Sequence, residues 1–242
     1  MNYSFIIPTL NEEKLLPKLL EQIKSSGVIE KFNCEIVISD GGSSDSTIDV
    51  AKNYTDKIIQ HFGSNRQTIA EGRNSGANIA SGNILIFIDG DIIFDDLHKL
   101  MNKVENVFVK DEYLAMTCYI NIHPDERIFS DMIFLNFYNW YFRILNNIGV
   151  GMGRGECQII PKKLFEQIGG YNNSLVAGED FDLFKRIRKK GKILFDKSLV
   201  IYESPRTYRK YGHTKIFFSW LLNAVSVIFK NKSASKEWEE VR

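Results

Sequence analysis

The chain of 242 residues is 44% hydrophobic and 25% charged, close to the soluble globular average, which excludes disordered and fibrous classes. Its 31 Lys and Arg against 30 Asp and Glu leave a formal net charge of +1, so no global basic field points to nucleic acid. At roughly 150 residues per domain, this length suits one compact unit. Three cysteines, Cys34, Cys118 and Cys157, lie far apart. An odd, unpaired count fits a reducing compartment and argues against a disulfide framework or a zinc site. The opening MNYSFIIPTLNEE has neither the basic start nor the long apolar core of a signal peptide. No run reaches the ~18–20 apolar residues of a spanning helix. The expected location is the cytoplasm.

Residues 3–7 are a short apolar run followed by a turn. Leu16, Leu19, Leu20 and Ile23 then fall on one face of a helix, with Pro17 near its start, where a missing N–H costs little. A β-branched run at 35–39 ends at Asp40 in the turn DGGSSDS, and a helix is expected over 46–53. A third short strand is expected at 57–60 and a helix rich in small residues at 68–80. Residues 84–88 read ILIFI and end in Asp89-Gly90-Asp91, after which 95–108 is helical, capped by Asp95 or Asp96. Beyond it the pattern gives a strand at 114–120, an aromatic-rich helix at 128–147 and a charged helix at 179–190. Continuous apolar strands separated by helices predict an α/β fold with a mostly parallel sheet buried on both faces and shared by both halves.

In an open parallel sheet, ligands bind at the carboxyl ends of the strands. Those ends carry Pro8, Thr9, Asn11 and Glu12, then Asp40 and Gly41, then Asp89, Gly90 and Asp91. No G-x-G-x-x-G follows a strand and no G-x-x-x-x-G-K-[ST] occurs, which excludes the common dehydrogenase and P-loop sites. Asp89 and Asp91 flank a glycine in a manner suited to a hard divalent cation shared with diphosphate oxygens, although Asp-Gly is also a turn dipeptide. Asp40 reads equally as a turn residue, Arg73 as a surface cation, and Glu179 with Asp180 as acids complementing a helix dipole.

Four segments change that balance: FIIPTLNEE (5–13), EIVISDGGSSDST (35–47), AEGRNSGANIASGNILIFIDGD (70–91) and FEQIGGYNNSLVAGEDFDLFKRIRKKG (165–191). In this order they resemble family 2 glycosyltransferases of the GT-A fold, over roughly residues 3–205. The resemblance implies a catalytic domain over 1–212, with a nucleotide-sugar half (about 1–110) and an acceptor half (about 111–212). It implies inverting transfer of one sugar from a nucleotide-diphosphate-sugar to a sugar or lipid-linked acceptor. Pro8, Thr9, Asn11, Glu12, Asp40, Gly41, Arg73, Asp89 and Gly90 would bind the nucleotide-sugar. Asp91 and Asp89 would hold Mg²⁺ or Mn²⁺, Asp180 would be the catalytic base with Glu179 beside it, and Arg206, Arg209 and His213 would hold the diphosphate. The Q-x-x-R-W motif of processive synthases is absent; the region reads SPRTYRKYGH. Two alternatives stand beside this reading: a sugar-phosphate nucleotidyltransferase and a non-catalytic sugar-nucleotide-binding domain.

Residues 213–242 form an apolar helix and tail. On a helix, Ser219, Asn223, Ser226 and Lys230 make a narrow polar stripe amid large apolar residues. Fourteen residues at 216–229 span about 21 Å, short of the ~30 Å hydrocarbon core. The segment is therefore expected to contact a membrane surface, peripherally, or to pack against the domain itself or a second copy in a homodimer.

Overall fold

The computed structural model of the chain describes residues 1–110, 112–230 and 232–235, with the side chains of Ile228 and Phe229 outside that description. The expected tail beyond residue 235 also lies outside it.

The first half follows the apolar pattern. Strand β1 (Tyr3–Thr9) leads to α1 (Leu16–Ser25), and α2 (Val28–Phe32) precedes β2 (Cys34–Asp40). Then come α3 (Thr47–Lys52), β3 (Ile58–Gln60), α4 (Ile69–Ile79), β4 (Ile84–Ile88), β5 (Ile93–Phe94) and α5 (Leu97–Val109). Pro17 sits in the first turn of α1, and Asp96 caps α5 by accepting from the Lys99 N–H (2.8 Å). Thr68 and Glu71 close a reciprocal capping box at the start of α4.

The second half contains β6 (Ala115–Ile122), α6 (Phe129–Asn147), β7 (Cys157–Pro161), α7 (Lys162–Gln167), α8 (Glu179–Arg188), β8 (Ile193–Glu203), α9 (Arg206–Tyr211) and α10 (His213–Lys230). The strands form one eight-stranded sheet among the described residues, in the order β3-β2-β1-β4-β7-β6-β8-β5. β1 through β4 pair in parallel, β7 runs antiparallel between β4 and β6, and β8 is parallel to β6. The sheet is thus mostly parallel, as expected, and it joins both halves.

Several elements escape the sequence pattern. β7 follows a glycine-rich approach that reads as loop. β8 is interrupted at exposed Lys197 and Ser198, where its register against β6 shifts between Cys118 and Tyr119. That bulge breaks the alternation by which a strand is recognised.

Alternating side chains of the central strands feed two cores. Phe5, Ile7, Ile86 and Ile88 pack under α1 and α5; Ile6, Leu85 and Phe87 pack under α4 and α8. β6 pairs with β7 only near Met116, and beyond it the side chain of Asn139 takes the place of a strand. Its Oδ1 accepts from the Ile120 N–H (3.1 Å) and its Nδ2 donates to the Ile120 carbonyl (2.7 Å), both buried. Asn139→Leu strands both backbone groups and is expected to lower unfolding free energy by about 2 kcal/mol or more, read by urea denaturation.

Candidate active site

The carboxyl ends of β1, β2 and β4 converge on a cleft of about 500 Å³ lined by Pro8, Thr9, Glu12, Gly41, Asp91 and Arg206 among others. A second cavity of about 420 Å³ adjoins it, lined by Arg73, Glu179, Asp180 and an aromatic wall from α6 and α10. Asp89, Glu156, Val176 and Trp220 border both, so the two are lobes of one site.

The floor is organised by Arg73, 1% exposed on α4. Its Nη2 donates to Asp89 Oδ1 (2.9 Å) at the end of β4, and its Nη1 donates to Glu179 Oε1 (2.7 Å) at the start of α8. Gly155 makes this possible, because a Cβ there would run into the guanidinium. Gly178, at φ 82°, turns the chain into α8 and presents Glu179 and Asp180 in its first turn. Burial pushes the Asp180 carboxyl up to about 7, helped by Glu179 and opposed by Arg73. Burial also pushes up Asp89 and Glu179, against the pull of Arg73.

In the first lobe, Arg206 at the start of α9 donates to Glu12 Oε2 (3.0 Å) and lies 3.0 Å from Asp91 Oδ2. Burial pushes Asp91 up to about 7; Arg206 opposes this, while Asp89, Glu12 and Glu156 add to it. A Cβ on Gly90 would meet only ordinary contacts near 3.6 Å with Glu12, so protein packing does not require glycine there.

The structure brings Pro8, Thr9, Glu12, Gly41, Asp89, Gly90, Asp91 and Arg206 to the first lobe and Arg73, Asp89, Glu179 and Asp180 to the second. Four expected residues are placed otherwise. Asp40 is fully buried, and its carboxylate accepts from Thr9 Oγ1, Ser43 Oγ and the N–H groups of Gly42 and Ser43. Asn11, at φ 54°, ties its loop to Ser43 and Ser44. These two residues build the wall rather than line it. Arg209 and His213 do not line the first lobe; both bond the fully buried Asp131 of α6, at 2.6–2.8 Å. A buried carboxylate needs such partners, and it claims the charge that the diphosphate reading had assigned.

Sequence reasoning missed a further group. Arg154, buried before β7, donates to Glu156 and to Glu203 (2.8 Å), and Tyr208 donates to Glu203 (2.7 Å). Burial, with Glu156, pushes Glu203 well up against the pull of Arg154. The available signal was the alternation of Gly151, Gly153 and Gly155, which marks an extended segment with other groups packed close against one side.

The family model for Glycosyl transferase family 2 matches residues 4–169, and the chain belongs to that family. A PGL/p-HBAD biosynthesis glycosyltransferase of Mycobacterium bovis is 28% identical over 136 residues, covering 54% of this chain and 46% of the relative. The chain thus spans about half the length of the first curated relatives it matches. An uncharacterized glycosyltransferase of Haemophilus influenzae is 29% identical over 88% of this chain and 69% of its own. Among solved structures, a mannosyltransferase from Pyrobaculum calidifontis in complex with GDP-Man and Mn²⁺ superposes with TM-score 0.68 at 19% identity, over 90% of this chain and 64% of that one. Staphylococcus aureus TarS 1-349 in complex with UDP-GlcNAc gives 0.61 at 19% identity, over 92% and 67%. The fold is GT-A, as the sequence motifs implied.

Removing the Arg73 cation would leave the buried Glu179 and the part-exposed Asp89 without their counter-charge. Arg73→Met is therefore expected to cost about 3–5 kcal/mol of stability in denaturant unfolding, and adding Glu179→Gln should restore part of it.

Proposed function

We propose that this chain transfers one sugar, with inversion, from a nucleotide-diphosphate-sugar to an acceptor hydroxyl. The observation carrying this reading is the two-lobed site: Asp91 and Arg206 line one lobe, Asp180 the other, and Asp89 stands at their boundary. The nucleotide-sugar would lie over Pro8, Thr9, Glu12 and Gly41, with its sugar carbon toward Asp89 and its diphosphate toward Arg206. Residues 1–110 supply most of this lobe. Residues 111–212 supply most of the acceptor lobe, and α10 completes its wall.

Asp180 would take the proton of the acceptor hydroxyl as that oxygen attacks the face opposite the departing diphosphate. A carboxyl whose pKa lies near neutrality is suited to that task. Glu179 and Arg73 would hold the first turn of α8, and so Asp180, in register with Asp89. Trp220 and the aromatic wall would exclude water and receive an apolar or lipid-linked acceptor.

The first lobe also suits Mg²⁺ or Mn²⁺. Asp91 and Asp89 offer hard oxygens, and the carboxylates lining the lobe outnumber its guanidinium groups. No ready-made cluster of three or more ligating side chains occurs among the described residues. A hard cation here would be held by one or two carboxylates and completed by diphosphate oxygens and water. When bound, the cation supplies Lewis-acid stabilisation of the leaving diphosphate.

Two sets of measurements test this reading. Asp180→Asn should lower kcat by about 10²–10⁴-fold while the donor still raises Tm. A raised carboxyl holds its proton until about pH 7, so the basic form accumulates above it and wild-type kcat/KM should climb through that pH. The climbing limb should be missing in Asp180→Asn, whereas equal loss of donor binding and turnover would give Asp180 a structural role. EDTA should abolish transfer reversibly, and Asp91→Asn should remove the Mn²⁺-dependent part of the donor-induced Tm rise. Full turnover in EDTA would contradict the metal assignment.

A further inference from the structure

The two helices that wall the acceptor lobe carry large apolar side chains on their outer faces as well as along their buried seam. α6 turns Asp131, Asn139 and Asn146 inward, where Asn146 holds both backbone groups of Met152 at 2.7 Å. Its Phe129, Ile133 and Trp140 stand 75%, 58% and 58% exposed. α10 likewise exposes apolar side chains. The expected polar stripe does not face solvent as a unit: Asn223 is buried, holding Ala234 and Ser235, while Phe218 and Leu222 are 55% and 60% exposed. A helix bathed in water carries the opposite arrangement, and a contiguous exposed apolar patch marks a contact surface.

The helices are joined along a buried aromatic seam, in which Tyr138 of α6 meets Phe217 and Trp220 of α10. Their sequences contain a single acidic residue, the buried Asp131, against exposed Arg143, Lys215 and Lys230. Asp125 and Glu126 precede α6 in the chain. The outer face is continuous with the site, because Phe137, Tyr141 and Leu221 are exposed and also line the cavity that holds Asp180.

We infer that the α6–α10 face seats on an anionic lipid bilayer, from which a lipid-anchored acceptor passes between the helices with its hydroxyl toward Asp180. This deepens the reaction proposed above and rests on Asp180 as its base. Cations without exposed acids on the two helices suit anionic headgroups, and Trp140 and Tyr141 are amphipathic rings suited to the lipid–water boundary. A two-fold contact between copies across this face would instead close both cavity mouths. No helix among the described residues is long and apolar enough to cross a membrane, so the contact lies in the surface plane.

The experiment is co-sedimentation of the full chain with phosphatidylcholine vesicles, with and without phosphatidylglycerol. Wild type should pellet with the anionic vesicles. Trp140→Glu and Leu222→Glu alter exposed side chains outside both lobes and should each lower the bound fraction about tenfold or more. Their donor-induced Tm rise should match wild type, showing that they are folded. The inference is overturned if wild type stays in the supernatant or if the variants pellet as wild type does. It is equally overturned if wild type is a dimer in analytical ultracentrifugation that the substitutions dissociate. Donor binding and the Asp180→Asn turnover loss report on the reaction itself, so either reading can fail without the other.

Discussion

A single buried guanidinium ties the two lobes of the site together. Arg73 of α4 holds Asp89, just after β4, and Glu179 of α8, groups that lie 90 positions apart in the chain (179 minus 89). The ring of Tyr171 lies 5.4 Å away and Gly155 leaves the space for it. A buried ion pair is weak support for overall stability, since desolvation offsets most of its attraction. Its consequence here is positional. Two carboxylates that would repel each other are held against one cation, and the spacing between the lobes follows from that.

The same economy recurs at the rim. Asp40, Asn11, Ser43 and Thr47 lock the loops after β1 and β2 together; Glu12 itself is held by its N–H donating to Thr47 Oγ1 (2.7 Å). On the far side, Asp131 gathers Arg209 and His213, which binds α6 to α9 and α10. Polar residues near a site thus divide into those that line it and those that hold its loops. Asp40 and Asp131 have no exposed surface, whereas Asp89 and Asp91 keep 26% and 17% of their side-chain surface accessible.

The lobes differ in chemistry because different halves build them. Parallel strands ending in short polar turns give a carboxylate-rich lobe. Long aromatic helices give the other lobe an apolar wall over a floor of buried charge. α10 is integral to that wall, since Trp220 reaches both lobes and lies over the Arg154 guanidinium (5.2 Å). Ser233, beyond α10, also accepts from the N–H groups of Val176 and Ala177, in the loop leading to α8. The segment taken from sequence as an appended helix therefore braces the turn that presents Asp180.

Local regularity made the first half legible. Uninterrupted apolar strands, small-residue helices and caps such as Asp96 depend on neighbours a few positions away, so the strands and helices up to α5, except the short α2 and β5, and the acidic strand ends could be read directly. The four motif segments likewise identified the family and the GT-A fold. The rest depended on long-range contacts. Nothing local marks Arg73 as buried rather than solvated, nor separates Asp40 and Asn11 as loop braces from Glu12 and Gly41 as lining. β7 and β8 exist because β4 and β6 offer edges to them, and Arg154, Glu156 and Glu203 matter only after that pairing brings them under Trp220. The outward turn of Phe218 and Leu222 was equally hidden, because helical periodicity gives relative positions around an axis but not which side the protein occupies. Sequence alone determined most of the first-half elements and the chemistry available to them; long-range packing and the pairing of distant charges decided which groups line the cavity, since both are properties of the assembled interior.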